Sequence, residues 1–202
     1  MVYEQLLDQG GEWALEEGSL HFEKESAVHR TLREVIRRLE ELGVPYAVVG
    51  GMAMFLHGYR RFTEDVDVLV TPGGLEVVHR ELIGRGYRPL HEGSRHLRDT
   101  ERGVRVEFLV TGGYPGDGKP KPIAFPDPLT ASIELDGVRV LALPQLLELK
   151  LASGMTNPGR LKDLADVQDL IRKLDLPADL NLHPSVLPKY QELWSAVRDF
   201  PE

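Results

Sequence analysis

Residues 49–70, VGGMAMFLHGYRRFTEDVDVLV, combine two features that a buried segment normally lacks. Gly50 and Gly51 interrupt an apolar run, where the short strand pattern of residues 44–49 gives way to a predicted two-turn helix. Asp65 and Asp67 then lie inside an otherwise apolar strand pattern. Because a buried carboxylate without a partner is costly, this segment needs either a functional or a structural explanation.

The two aspartates are predicted to lie on one face of their strand, because side chains at i and i+2 of a strand point the same way. Glu107 repeats this pattern in the predicted strand 104–110. Carboxylate oxygens favour Mg²⁺ or Mn²⁺, and such a set can hold two ions across a phosphoryl transfer. The structural alternative is that Asp65 and Asp67 form a turn or cap a helix, while Glu107 forms a salt bridge with Arg105.

The glycine pair follows a predicted strand and opens a predicted helix. Free backbone N–H groups and the helix dipole favour anions at such a position, and the missing side chain lets a phosphate approach the backbone closely. Gly-Gly is also a common turn between a strand and a helix. Its proximity to the acids is what favours the functional interpretation.

The remaining pattern predicts an α/β (α+β) fold, with strands and helices mixed without a strict βαβ rhythm. We predict an N-terminal arm at 1–24, a core at 25–143 and a helical region at 144–202. Within the core, residues 132–143 form a predicted hairpin with an Asp-Gly turn, and residues 111–128 form a Pro/Gly-rich loop. This loop contains GYPGDGK, which has the spacing of a phosphate-binding loop but continues with Pro120 instead of Ser or Thr. A lid or an acceptor-binding loop is the remaining interpretation.

Composition excludes several classes of function. The 202 residues are 42% hydrophobic and 28% charged, which is typical of a globular protein. A net charge of −8 without a long Lys/Arg run argues against a broad nucleic-acid-binding surface. The absence of cysteine excludes disulfides, thiolate metal sites and a cysteine nucleophile. No signal-peptide pattern or long apolar stretch is present, so we expect a cytoplasmic protein without membrane contact.

Residues 50–70 resemble the signature of the DNA polymerase beta-like nucleotidyltransferase superfamily. In that superfamily a Gly-Gly or Gly-Ser loop at a helix start holds the nucleotide triphosphate, and an Asp-x-Asp strand follows. The resemblance implies a nucleotidyltransferase-type mixed sheet with helices packed on it. It also implies that Gly50 and Gly51 bind the nucleotide, and that Asp65 and Asp67 are catalytic metal ligands. Glu107 is the candidate for the third acid, where many members have Asp.

The motif HG-x-R-R-x-T-x-D-V-D resembles that of a small bacterial branch, which includes the abortive-infection-type toxin nucleotidyltransferases. In that branch a helix Lys and a later Arg/Lys-Asp-x-x-Asp stretch complete the site. Lys150 matches the first, and the segment GRLKDLADV matches the second. The additional candidates for nucleotide binding are Arg61, Thr63, Lys150, Lys162 and Asp166.

These expectations together describe a metal-dependent nucleotidyltransferase. It would move a nucleoside monophosphate from an NTP to a hydroxyl acceptor with Mg²⁺ or Mn²⁺ and release pyrophosphate. The acceptor is a small molecule, a tRNA or a protein, and an antitoxin protein is a further candidate partner. The alternatives are a nucleotide- or partner-binding regulatory module of the toxin–antitoxin type without turnover, and a phosphohydrolase that uses the same acids on water.

Overall fold

A computed structural model describes residues 2–200, which form eight α-helices and seven strands. Met1, Pro201 and Glu202, which the predicted regions 1–24 and 144–202 include, lie outside the described residues. The helices are α1 (Tyr3–Asp8), α2 (Glu12–Phe22), α3 (Ala27–Glu41), α4 (Gly50–Leu56), α5 (Pro72–Leu82), α6 (Leu143–Thr156), α7 (Leu161–Leu174) and α8 (Leu187–Asp199). The strands are β1 (Tyr46–Val49), β2 (Asp65–Val70), β3 (Tyr87–Pro89), β4 (His96–Asp99), β5 (Arg105–Val110), β6 (Ser132–Leu135) and β7 (Val138–Leu141).

All seven strands of the described region form one mixed sheet, in the order β3-β4-β5-β2-β1-β7-β6. The pairs β2–β5 and β1–β7 are parallel, and the other neighbouring pairs are antiparallel. The predicted α/β class with a mixed sheet is therefore confirmed. Strands β2 and β1 occupy the middle of the sheet, so the acidic motif lies at the centre of the fold.

Most predicted elements form where the sequence pattern places them. The predicted strand 104–110 forms as β5, and the two strands before it, β3 and β4, were not predicted. These two strands have only three and four residues and contain Arg, Pro and His, so no run of alternating hydrophobicity marks them. The predicted hairpin is β6–β7, and its turn places Asp136 and Gly137 at φ values of +52° and +75°.

The first helices lie in the segment predicted as an arm. In α2 the buried residues are Glu17 and His21, so the buried face is polar and produces no apolar period. Fully buried Tyr3 of α1 donates its hydroxyl hydrogen bond to Glu17 Oε2 at 3.0 Å. The backbone N–H of Ala27 also donates to Glu17 Oε2 at 3.0 Å, which connects α2 to the start of α3. The domain boundaries remain a prediction.

Helix α3 packs on the central strand β2 through an apolar face. Helix α3 buries Val28, Leu32, Val35, Ile36 and Leu39 at helical spacing, and Ser26 caps its N-terminus by accepting from His29 N. Helices α6 and α7 pack against each other beside the sheet. None of the helices in residues 2–200 has the length and hydropathy of a membrane span.

Candidate active site

A cleft of about 540 Å³ lies between strands β2 and β5, the start of α4, the loop 111–128 and helices α6 and α7. Every residue that the sequence predicts for the site lines it: Gly50, Gly51, Arg61, Thr63, Asp65, Asp67, Glu107, Lys150, Lys162 and Asp166. The fold therefore brings together residues from two strands, three helices and a connecting loop that extend along the chain from Gly50 to Asp166.

The parallel register of β2 and β5 places the three acids on one face of the sheet. Asp67 pairs with Glu107, and Asp65 pairs with Arg105, in adjacent strands about 4.8 Å apart. On the opposite face the alternating positions are apolar and fully buried: Val66, Val68, Val106 and Phe108. Burial, together with the charges of Asp65 and Glu107, raises the pKa of Asp67 well above its ordinary value. The three carboxylates thus concentrate negative charge on one wall of the cleft.

Neighbouring side chains already contact the outer acids. Arg105 Nη2 donates to Asp65 Oδ2 at 2.5 Å, and Thr63 Oγ1 donates to Asp65 Oδ1 at 3.1 Å. Glu107 does not form the salt bridge with Arg105 that the structural alternative predicted. Its Oε1 lies 3.2 Å from His96 Nε2 instead. In this arrangement no three His, Asp or Glu side chains among residues 2–200 are spaced to hold a metal ion.

The donor set nevertheless has the chemistry that Mg²⁺ or Mn²⁺ requires, since carboxylate oxygens from adjacent strands face one cleft. Burial first, and the charges of Asp65 and Glu107 second, raise the pKa of Asp67, and a bound cation would oppose both effects. An ion shared by all three acids would compete with Arg105 for Asp65 and with His96 for Glu107.

The glycine pair makes room for the acidic strand. A Cβ on Gly50 would lie 1.8 Å from Asp67 Oδ2, and Gly50 has φ +61°. A Cβ on Gly51 would lie 2.5 Å from Thr63 Oγ1. Both positions therefore require glycine before any ligand is considered, and Gly50 also requires it for its backbone conformation.

A network of opposite charges forms the other wall of the cleft. The Lys150 ammonium lies 2.6 Å from Asp166 Oδ2 and 3.0 Å from Asp163 Oδ1. Arg61 Nη2 also donates to Asp166 Oδ2, at 3.2 Å. Burial alone would raise the pKa of Asp163, but Lys150 and the Ser153 hydroxyl outweigh burial and hold this pKa below its ordinary value. Lys150, 7% exposed, connects α6 to α7 inside the cleft.

Sequence reasoning missed several residues of this cleft. Arg95 lines it and directly precedes the unpredicted strand β4, and His96, the first residue of that strand, contacts Glu107. Tyr114, Pro115 and Gly116 line it from the loop 111–128. No local sequence pattern marks these residues as part of a site, because strand pairing and loop packing bring them to the cleft.

Comparison with known proteins identifies the family. The family model described as "Uncharacterised nucleotidyltransferase" matches residues 15–184, which is most of the chain. The chain belongs to this nucleotidyltransferase family. The matched range contains all ten predicted site residues and begins within α2. A search of curated proteins found no match.

Solved structures of nucleotidyltransferases share the fold. ANT(2″)-Ia in complex with adenylyl-2″-tobramycin is 15% identical, with 84% of this chain and 96% of that chain covered and a TM-score of 0.52. The solution structure of the antibiotic-resistance factor ANT(2″)-Ia is 16% identical, with coverages of 83% and 89% and a TM-score of 0.50. A nucleotidyltransferase-like protein from Paracoccidioides brasiliensis is 16% identical, with coverages of 83% and 85% and a TM-score of 0.47. At such identities the likeness to the two ANT(2″)-Ia structures shows the fold alone.

Proposed function

We propose that this nucleotidyltransferase moves a nucleoside monophosphate from an NTP to a hydroxyl acceptor in a metal-dependent reaction that releases pyrophosphate. The observation that carries the proposal is the β2–β5 register, which puts Asp65, Asp67 and Glu107 on one face of the cleft. Family membership supports the reaction class. The finer steps follow from the residues that line the cleft.

Asp65, Asp67 and Glu107 would hold Mg²⁺ or Mn²⁺, which would neutralise phosphate charge and activate the acceptor oxygen. Gly50 and Gly51 would present backbone N–H groups to the triphosphate, with Thr63 beside Gly51 and Lys162 facing the same cleft from α7. The acceptor oxygen would attack the α-phosphorus while the bond to the β-phosphate oxygen breaks. Glu107 would help to remove the acceptor proton. Positioning and charge stabilisation would supply most of the rate enhancement.

Within the charge network on the other wall, Lys150 and Arg61 would supply the positive charge for the triphosphate, and Asp166 would hold both of them. Asp166 holds both basic side chains on the cleft side of α6 and α7. A triphosphate that enters the cleft would therefore meet two cations already oriented by one carboxylate. This preorganisation reduces the ordering cost of binding.

The chemical class of the acceptor is proposed from a fold neighbour. ANT(2″)-Ia, a fold neighbour, was solved with adenylyl-2″-tobramycin, which is a modified small molecule. We therefore propose a small polyhydroxylated acceptor for the first assays, with tRNA and protein acceptors next. Membership of the abortive-infection-type branch, and an antitoxin partner, remain predictions from the sequence.

One observation favours a second candidate, a nucleotide- or partner-binding module without turnover. Arg105 pairs with Asp65 and His96 contacts Glu107, so side chains of the protein itself already engage the two outer acids. Such a module would bind an NTP but release no pyrophosphate. Release of inorganic phosphate without an acceptor would indicate a phosphohydrolase instead.

The Asp67→Asn variant tests the proposal. We expect Mg²⁺-dependent pyrophosphate release to fall about 100-fold or more, while the protein without metal melts at a higher temperature than the wild type. The substitution removes a carboxylate whose raised pKa reports burial and repulsion, and each kcal/mol regained raises Tm by about 2–4 °C. Calorimetric titration of each NTP with Mg²⁺, pyrophosphate release and thermal melting are the measurements.

Glu64→Gln is the matched control, because Glu64 is an exposed cleft residue with no ion pair or side-chain hydrogen bond among residues 2–200. This variant should retain wild-type binding and transfer. Full transfer activity in Asp67→Asn would overturn the assignment. Binding of an NTP without turnover in the wild type would favour the regulatory module.

A further inference from the structure

Two histidines are buried behind the cleft and take no part in the proposed reaction. His21 of α2 is 0% exposed and His29 of α3 is 5% exposed, with ring centroids 4.7 Å apart. Phe55 and Phe62 pack against the His21 ring at 5.3 and 4.9 Å. Burying imidazoles among aromatic rings is costly unless their nitrogens are hydrogen-bonded. Burial of His21 therefore requires hydrogen-bond partners for its ring nitrogens.

His21 connects this buried cluster to a site residue. Its Nε2 lies 3.0 Å from the backbone carbonyl oxygen of Arg61. Because a carbonyl oxygen only accepts, Nε2 carries the proton, and Nδ1 faces Ser26 Oγ at 3.4 Å. Burial lowers the pKa of His21, which is consistent with this neutral form.

The segment that receives this bond has little other support. Between the end of α4 and the start of β2, residues 60–64 make no backbone–backbone hydrogen bond among the described residues. The Arg61 guanidinium donates to the carbonyl of Phe62 at 3.0 Å and pairs with Asp166 across the cleft. The position of Arg61 therefore depends on side chains from other elements, and His21 holds its backbone.

The helix face that carries His21 is anchored by buried hydrogen bonds. Glu17, one helical turn earlier on α2, accepts from Tyr3 and from the N–H of Ala27. Residues i and i+4 lie on the same face of a helix, so the face of α2 that carries Glu17 also carries His21. The buried contacts of α1 and α3 thus fix the imidazole that reaches Arg61.

We propose that His21 is a positioning residue of the nucleotide site: it holds the Arg61 segment so that the Arg61 guanidinium faces Asp166 in the cleft. The inference rests on the proposed function, in that an NTP is the ligand whose binding depends on Arg61. It assigns a role in the site to the N-terminal helices, which the sequence predicted as an arm outside the core.

The test compares three variants. His21→Leu removes the donor, His21→Gln keeps an amide N–H near the position of Nε2, and His29→Leu alters the same buried cluster without touching Arg61. The measurements are the Kd of each NTP with Mg²⁺ by calorimetry, thermal melting, and hydrogen–deuterium exchange of residues 58–64.

We expect His21→Leu to weaken NTP binding about 10-fold, or roughly 1.4 kcal/mol, and to speed exchange in residues 58–64. His21→Gln should stay within about threefold of the wild-type Kd, because the retained donor replaces the lost hydrogen bond. His29→Leu should lower Tm but leave the Kd and the exchange of this segment unchanged. Where His21→Leu does not fold, His21→Asn replaces it, because its shorter amide does not reach the Arg61 carbonyl.

Equal effects of His21→Leu and His29→Leu on Kd and on exchange would overturn the inference and leave His21 a packing residue. Faster exchange in His21→Leu with an unchanged Kd would overturn it as well. Failure of the proposed function looks different, because the wild type itself would then bind no NTP.

Discussion

At the scale of the residue, the close approach of Gly50 and Asp67 shows why the site needs glycine. The carboxylate of Asp67 occupies the space that a Cβ on Gly50 would fill, with 1.8 Å between the two. Gly50 also has a positive φ, a conformation in which other residues are strained. Sequence reasoning assigned the glycine to the phosphate, whereas the structure adds a second constraint from inside the protein.

We expect Gly50→Ala to lower Tm by several degrees and to abolish Mg²⁺-dependent NTP binding. The new methyl group would displace the Asp67 carboxylate, and a non-glycine residue in this conformation costs about 1–2 kcal/mol. Thermal melting and calorimetry with each NTP are the measurements.

Gly73→Ala is the matched control for this prediction. Gly73 lies in the first turn of α5, its φ is not positive, and a Cβ there would meet nothing within 4 Å. Ala at that position should leave binding unchanged and raise the free energy of unfolding by up to about 1 kcal/mol. Wild-type melting and binding in Gly50→Ala would contradict the steric argument.

At the scale of the element, the loop 111–128 is a docked wall of the cleft. The Lys121 ammonium donates to Pro115 O at 2.6 Å and to Thr156 Oγ1 at 3.0 Å, and it also pairs with Asp117. Asn157 donates to Gly116 O at 3.3 Å. These bonds attach the loop to the C-terminal end of α6, the helix that also carries Lys150.

The substitution Lys121→Met should detach the loop 111–128 from the end of α6. Removal of the ammonium leaves the Pro115 carbonyl and the Thr156 hydroxyl without their partner, so we expect a lower Tm and faster hydrogen–deuterium exchange in residues 112–119. Lys119→Met is the control, because Lys119 is exposed and its ammonium makes no hydrogen bond or salt bridge in the described part of the chain. Identical exchange in the two variants would show that Lys121 does not hold the loop.

At the scale of the whole molecule, buried histidines make stability depend on pH. Burial, then the neighbouring His21 and Arg33, lower the pKa of His29 to about 4, from 6.5 in an unperturbed histidine. Burial also lowers the pKa values of His21 and His57. Between pH 6.5 and about 4 the unfolded chain therefore binds protons that the folded protein does not. Their contribution to stability is complete above pH 6.5 and is lost as the pH falls toward 4.

We expect the free energy of unfolding to decrease from pH 6.5 to pH 4, by up to about 1.4 kcal/mol per pH unit for each such group. The raised pKa of Asp67 acts in the opposite direction, since protonation there favours the folded state. Denaturant unfolding at several pH values measures the slope. His29→Leu should flatten it, and an unchanged slope in that variant would show that His29 does not cause the dependence.

The predictions that succeeded rest on local patterns. Alternation within residues 65–70 and 105–110 predicted two strands with acids on one face, and the Asp-Gly pair predicted the β6–β7 turn. The predictions that failed lack such patterns: β3 and β4 are too short for a period, and α2 buries polar residues. Lys150 was predicted as a residue for the triphosphate, but nothing local indicated its two aspartate partners.

The sequence by itself determined the acidic strands, the glycine pair between strand and helix, and the mixed α/β class, because periodicity and backbone conformation act over a few residues. Only the tertiary structure decided that Asp67 faces Glu107, that His96 rather than Arg105 contacts Glu107, and that His21 reaches Arg61. These contacts join residues 11 to 40 positions apart. Their geometry depends on strand register and helix packing, which no local pattern of residues specifies.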